Sequence, residues 1–308
     1  MPLIRSFCPG GVTSFFEPYK LRSAKKILEK ELKIGARGGG FTLKKGTTTW
    51  IKTSRARTNK INIFIRKKPK NNFHTTRTVA ELLLKKTDRK YRIEINHNID
   101  LPIGAGYGTS AAGALSTALA LNEALGLGMT FDELGFYAHI AEIRCKTGLG
   151  TVGPQMVGGC IIQKEGGPPG ICKIDQIPIN RSYRIVSGYI GPISTLSVLS
   201  SSKLNKIISV EGRKTMQAIL SNPTIENFLT KSEKFAINIG LMTKKIRRLI
   251  DITKKNGSIG ATQNMLGEAF HGVVDAQRAP YILDKLNSHD PMSKFFSTAI
   301  DFEGARLL

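Results

Sequence analysis

Three glycines at alternate positions, Gly104, Gly106 and Gly108, run into the hydroxyl pair Thr109–Ser110 within the string Leu-Pro-Ile-Gly-Ala-Gly-Tyr-Gly-Thr-Ser-Ala-Ala at 101–112. Glycine lets backbone approach an anion closely, and the free N–H groups and dipole of a first helical turn then hold it. The chemistry this spacing suits is phosphate binding by main-chain donors. No Lys follows the last glycine, so the string is not a Walker A loop. The spacing is G-x-G-x-G, with no acidic residue closing a parallel βαβ unit, so it is a poor dinucleotide fingerprint. An N-cap by Thr109 or Ser110 would explain the hydroxyls, but not three glycines and a proline.

The elements around the loop suit that role. Tyr91, Ile93 and Ile95 alternate with Arg92, Glu94 and Asn96, which predicts a strand over Tyr91–Ile99. An Ala/Leu-rich helix follows to about residue 125, and Thr130 caps another over 132–146. Earlier, strands are expected at 3–7, 41–43, 47–52 and 60–66, and a helix at 79–86. Glycine-rich turns are expected at 8–13, 35–40 and 147–154, and an exposed loop at 69–74. A strand is expected at 155–163, then a loop at 166–170. After about residue 180 the pattern predicts a strand at 183–190 and helices at 204–220, 225–239, 241–255 and 263–270. A strand–helix–strand follows at 271–275, 281–287 and 295–302. No internal repeat is present, and a β-rich first half meets an α+β second half near residue 180.

Composition narrows the class. A chain of 308 residues, 41% hydrophobic, can bury a large core and divide into two lobes. Cys8, Cys145, Cys160 and Cys172 are far apart without a C-x-x-C pair, which argues against zinc and disulfides and fits a reducing cytoplasm. The N-terminal apolar run is too short for a signal peptide, and Asn122 and Glu123 interrupt the most apolar stretch, so neither export nor a membrane span is expected. Net charge is +23, with 23 of the 46 Lys and Arg between positions 20 and 92. They accompany no nucleic-acid-binding motif and read as a solvated basic surface that attracts anions such as ATP.

The segment Pro102 to Ala112 resembles the ATP-binding loop of the GHMP kinases, whose usual Leu-Gly-Ser-Ser here reads Tyr107-Gly108-Thr109-Ser110. Residues 7–17 look like the N-terminal motif of the archaeal pantoate kinase branch, with Cys8 for Ala and Gly11 for His. His139-Ile140-Ala141-Glu142 and Thr147-Gly148-Leu149-Gly150-Thr151-Val152 resemble that branch's helix and its Thr-Gly-Leu-Gly-Asp-Val turn; a third, looser match covers 256–266. The resemblance implies an α+β, two-lobed GHMP kinase fold. Residues 1–180 would form an ATP-binding domain with a left-handed β-α-β crossover, like ribosomal protein domains. Residues 181–308 would form a ferredoxin-like domain, with ATP in the groove between the two. It also implies a homodimer.

Roles follow from the resemblance. Pro102, Gly104, Gly106, Gly108, Thr109, Ser110 and Ala111 would bind ATP. Ser110 and Glu142 would hold Mg²⁺, a hard cation that prefers oxygen. His139, one helical turn before Glu142, would lie at the acceptor site. Three departures matter. The catalytic Asp of the family is Thr151, whose hydroxyl is no base at neutral pH. The Arg after the Gly-Gly strand is Gln163, followed by Lys164. The Gly-Ser-Arg-Gly-Ala-Gly turn reads Gly35-Ala36-Arg37-Gly38-Gly39-Gly40. Losing a general base forfeits roughly 10²–10⁴-fold but does not forbid transfer through a loose transition state. Gln163 suits a neutral amide better than a carboxylate, while smaller Ala36 and Gly39 make room for a longer acceptor, and Arg37 or Lys164 meets a distal carboxylate. The expectation is therefore a kinase of coenzyme A biosynthesis acting on pantothenate, with pantoate as the alternative. A non-catalytic basic binding protein on the same scaffold is the reading from another class.

Overall fold

Two glycine clusters that read as turns are strand interiors. In the computed structural model, which describes residues 3–20, 34–70, 72–192, 202–265 and 267–308, segment 8–13 lies within strand β1 (Ile4–Lys20) and segment 35–40 within β2 (Ile34–Arg55). The two strands pair antiparallel, with irregularities at Pro9/Gly10 and Thr13/Phe15. Glycine here marks close approach instead of a reversal. A Cβ on Gly39 would lie 2.8 Å from both the Phe228 ring and the Ile161 carbonyl oxygen.

The first sheet also contains β3 (Lys60–Ile65), β4 (Lys68–Pro69), β5 (Tyr91–Ile99), β6 (Cys160–Glu165), β7 (Lys173–Gln176) and β12 (Arg306–Leu307). Its order is β12–β1–β2–β5–β3–β4, with β6 beside β2 and β7 beside β6. Strands β3 and β5 are parallel and bracket helix α1 (His74–Leu84), which makes a β-α-β unit. Helix α2 (Thr109–Leu125) packs against the sheet, and α3 (Phe131–Cys145) packs on α1 and α2. Ile51, Ile63, Leu83, Ile93, Ile95 and Leu115 form that core. A run such as Ala111–Leu121, apolar on every side, is the pattern of a helix enclosed all round, and α2 is buried over that stretch. Helix α3 starts at a capping box: Thr130 Oγ1 accepts from Glu133 N, and Glu133 Oε2 accepts from Thr130 N at 2.7 Å. The short helix α4 (Val152–Val157) occupies the start of the segment expected as a strand at 155–163. Gly158 and Gly159, at φ 84° and 93°, end the helix and turn the chain into β6.

The second sheet has the order β11–β8–β10–β9, formed by β8 (Arg184–Pro192), β9 (Gly260–Gln263), β10 (Gly267–Val274) and β11 (Lys294–Ala299). Helices α5 (Ser202–Leu220), α6 (Ile225–Asn238), α7 (Lys244–Lys255) and α8 (Ala279–His289) accompany it. The helix expected at 263–270 is instead the turn and paired strands of β9 and β10; Leu266 lies outside the described residues, as does Asn71 in the expected 69–74 loop. The fold is a two-sheet α+β arrangement. Strand β12, from the end of the chain, returns to pair with β1 of the first sheet. The two lobes share one core, in which the edges and faces of Phe15 and Phe41 meet Phe228 with ring centres 5.9 and 5.4 Å apart.

Candidate active site

The glycine loop leaves β5 and enters α2 with Gly104, Gly106 and Gly108 all left-handed, at φ 76°, 77° and 62°. Gly108 is itself the N-cap of α2, and no side chain caps that end. The hydroxyls of Thr109 and Ser110 therefore do not serve as the cap, and the first-turn N–H groups have no side-chain acceptor. Two contacts hold the loop from behind. Gly11 N donates to the Tyr107 carbonyl at 3.0 Å, and Gln155 Nε2 donates to the Gly108 carbonyl at 3.0 Å.

The second lobe closes against this loop. Met265 N donates to the Thr13 carbonyl at 2.9 Å, and a Cβ on Gly267 would overlap the Ala105 carbonyl. Buried Tyr107 hydrogen-bonds Ser187 of β8 at 2.8 Å. His271 of β10 spans Ser14 Oγ (2.8 Å) and Asn264 Oδ1 (2.6 Å). Burial holds its ring neutral, with its pKa lowered to about 3. Thus Asn264 and Met265, within the third and loosest sequence match at 256–266, lie against the phosphate loop at Gly106.

These elements enclose a cavity of about 660 Å³. Gly104, Gly106, Gly108, Thr109, Ser110, Glu142 and Thr151 line it, as do Ala36, Arg37, Gly39 and Gln163. Pro102 and Ala111 are not on its wall. Glu142, on α3, is 2% exposed. Burial pushes its carboxyl above the ordinary range, and hydrogen bonds from Thr147 and Ser110 oppose that shift. Thr147 Oγ1 donates to Glu142 Oε1 at 2.6 Å and lies 3.1 Å from Thr75 Oγ1. Gly148 passes so near that a Cβ there would overlap Glu142 Oε2. A buried carboxylate with only hydroxyl partners, facing a phosphate cradle, is an oxygen donor for a hard cation. Among the described residues no group of three His, Cys, Asp or Glu could hold a metal by itself. Ser110 and Glu142 thus fit an ion that is shared with nucleotide phosphates.

Two expected acceptor residues lie elsewhere. His139 is buried but off the cavity wall; its Nε2 pairs with the Ile34 carbonyl at 3.0 Å, and burial lowers its pKa to about 4. One helical turn places His139 and Glu142 on the same side of α3, but β2 intervenes at His139. Lys164 also lies off the wall. Strand alternation turns its side chain away from that of Gln163, and its Nζ pairs with Asp175. Its carbonyl instead accepts from Arg37 Nε at 2.7 Å. Arg37 does line the cavity, with Nη1 3.3 Å from Glu17 Oε2. Gln163 is 3% exposed, and among the described residues neither amide atom has a hydrogen-bond partner. Sequence reasoning missed Thr147 and Gln155. The signal for each was weak: a hydroxyl five residues after Glu142, and an amide four after Thr151. Among the described residues no helix is long and apolar enough to cross a membrane.

Comparison with known proteins agrees with this geometry. Residues 74–159, which span α1 to the end of α4, match the model of the GHMP kinase N-terminal domain. The chain is 33% identical to a pantoate kinase of Methanocaldococcus jannaschii over 261 residues, 85% of this chain and 89% of that protein. It is also 33% identical to a pantoate kinase of Thermococcus kodakarensis over 294 residues, 92% and 93% of the two chains. A solved phosphotransferase related to the coenzyme A biosynthesis pathway superposes with a TM-score of 0.88 at 29% identity, covering 100% of this chain and 99% of that one. Homoserine kinase of Cytophaga hutchinsonii, at 13% identity and a TM-score of 0.71, shares the fold. Glycine cradle, buried carboxylate and relatives converge, and the chain belongs to the GHMP kinases, as an ATP-dependent kinase acting on an alcohol.

Proposed function

We propose that this chain transfers the γ-phosphoryl group of ATP to the terminal hydroxyl of pantoate, giving 4-phosphopantoate. Supporting it most is one observation: the cavity that holds the glycine loop and Glu142 also has a cationic Arg37 on its wall, which suits an anionic acceptor. Three relatives that match most of the chain are named pantoate kinases. Those names favour pantoate over the pantothenate expected from Gln163, and with Gln163 in place of the family's Arg, Arg37 is left on the wall to meet the pantoate carboxylate.

The chemistry is chiefly positioning and charge neutralisation. Main-chain N–H groups from Gly106 to Ala111 cradle the β- and γ-phosphates. Ser110 and Glu142 would hold Mg²⁺, which, when bound, offsets the charge on the phosphate oxygens. The acceptor oxygen attacks the γ-phosphorus as its bond to the ADP oxygen breaks. With Thr151 in place of a base, the hydroxyl proton passes late to a transferred phosphoryl oxygen. The family resemblance implies a homodimer, and the separated cysteines fit a reducing cytoplasm; light scattering should return twice the 33.7 kDa chain mass.

The deciding experiment is ATP-dependent phosphorylation of pantoate and pantothenate side by side. A kcat/KM at least about 10-fold higher for pantoate is expected, since one charge-assisted contact contributes about 1.5–3 kcal/mol. Preference for pantothenate would return the acceptor to the amide.

A further inference from the structure

Among the described residues, Gln163 is the most conspicuous unmet demand. Its amide is enclosed on the cavity wall, and no described residue pairs with Nε2 or Oε1. Gln163 on β6 lies directly opposite Gly38 of β2, next in sequence to Arg37. A buried amide left unpaired costs about 1–3 kcal/mol, so a group that enters this site is selected for supplying both a donor and an acceptor.

A bare carboxylate offers only acceptors and would leave Oε1 unpaired. A 2-hydroxy acid offers both from neighbouring carbons: its hydroxyl donates and its C1 oxygen accepts. Pantothenate carries the same pair, because its C1 is an amide carbonyl. Gln163 is therefore matched equally to both acceptors, and its presence says nothing about the charge on C1.

Charge is read next door. Arg37 and Arg213 both pair with the single carboxylate of Glu17, at 3.3 and 3.1 Å, so the trio has a surplus of one positive charge. Arg37 carries that surplus to the wall and is fixed by the Lys164 carbonyl. Lys164 contributes none, being paired with Asp175.

We infer that Gln163 reads the 2-hydroxyl and C1 oxygen of the acceptor as one donor–acceptor pair, while Arg37 separately selects acid over amide at C1. This division of labour rests on the pantoate reading above and extends it to a general rule: the site takes 2-hydroxy acids with a terminal alcohol.

The test uses the full chain with three acceptors: pantoate, its analogue lacking the 2-hydroxyl, and pantothenate. Direct acceptor binding by calorimetry accompanies turnover. Wild type should prefer pantoate over the 2-deoxy analogue by about 10- to 100-fold. Gln163→Leu should reduce that preference to within about threefold and leave the pantoate-to-pantothenate ratio unchanged. Arg37→Gln should do the reverse, with Arg37→Lys retaining part of the acid preference; Glu17 keeps its Arg213 partner in both, so the fold is retained. If Gln163→Leu alters the pantoate-to-pantothenate ratio but not the 2-deoxy discrimination, the assignment is overturned. Equal loss of both ratios in either variant overturns it too. No pantoate turnover or binding by wild type would sink the acceptor reading itself, whereas normal pantoate kinetics with unchanged ratios in the variants would sink only the division of labour.

Discussion

Glu142 has to meet opposed demands. Catalysis wants an ionised oxygen donor facing the phosphates; burial favours the neutral acid and pushes its carboxyl above the ordinary value of 4.5. The sign follows directly. A folded-state pKa above the unfolded one means that ionisation of Glu142 destabilises the chain as pH rises past 4.5. Glu142→Gln should therefore raise the melting temperature at neutral pH, give no gain at pH 4, and cut kcat by at least about 10². Loss of stability at neutral pH would show that the carboxylate is held by more than Thr147 and Ser110. Thr151, set between Gly11 and Gly108, is the other informative residue. Restoring the carboxylate with Thr151→Asp should raise kcat by about 10-fold or more, within the range of general base help. An unchanged kcat would place the proton on the phosphoryl oxygens in both proteins.

At the scale of elements, the phosphate loop is shaped by neighbours distant in sequence. Helix α4 supplies Gln155, which holds the Gly108 carbonyl. Gln155→Met keeps the volume but leaves that carbonyl only its intrahelical bond from Ala112 N, a loss of about 0.5–1.5 kcal/mol. The KM for ATP should rise about 5-fold or more in steady-state assays, with the acceptor KM unaffected. The turn between β9 and β10 presses on the loop's other side. Gly267→Ala would force its Cβ into the Ala105 carbonyl; overpacking of this kind costs about 1–3 kcal/mol. Thermal unfolding should show that loss together with weaker ATP binding. A variant destabilised without any effect on ATP would separate the turn from the site.

For the whole molecule, three buried histidines link distant segments as neutral rings. His97 joins Thr49 of β2 to Thr76 of α1, His139 meets the start of β2, and His271 bridges the two lobes. Burial lowers their pKa values from 6.5 to about 4, about 4 and about 3. The unfolded chain thus takes up protons first as pH falls. Stability should be lost progressively below pH 6.5, by up to about 1.4 kcal/mol per pH unit for each ring, down to those folded-state values. Denaturant titrations from pH 7 to pH 4 measure the slope, and His271→Asn should lower it by one proton. A flat profile across that window would mean that the rings are solvated.

Local chemistry determined much of this protein. The strand Tyr91–Ile99, the helix that ends at Leu125, the Thr130 cap and the loop glycines were legible because each depends on residues adjacent in sequence: alternation, a capping hydroxyl, an enclosed apolar run. Ser110, Glu142 and Thr151 were found through the resemblance of their motifs to the GHMP kinases, and they do share a cavity. Only the tertiary structure decided the rest. Glycines 35–40 read as a turn because a missing side chain looks the same whether the backbone reverses or another segment packs against it; Phe228, nearly two hundred residues away, decides between them. His139 and Lys164 left the site because helical and strand periodicity fix a side chain's face but not what covers that face. Gln163 could be noticed from sequence but not understood from it. That both its amide atoms lack partners among the described residues, and that Arg37 beside it shares one carboxylate with Arg213, are properties of packing between β2, β6 and the cavity they enclose.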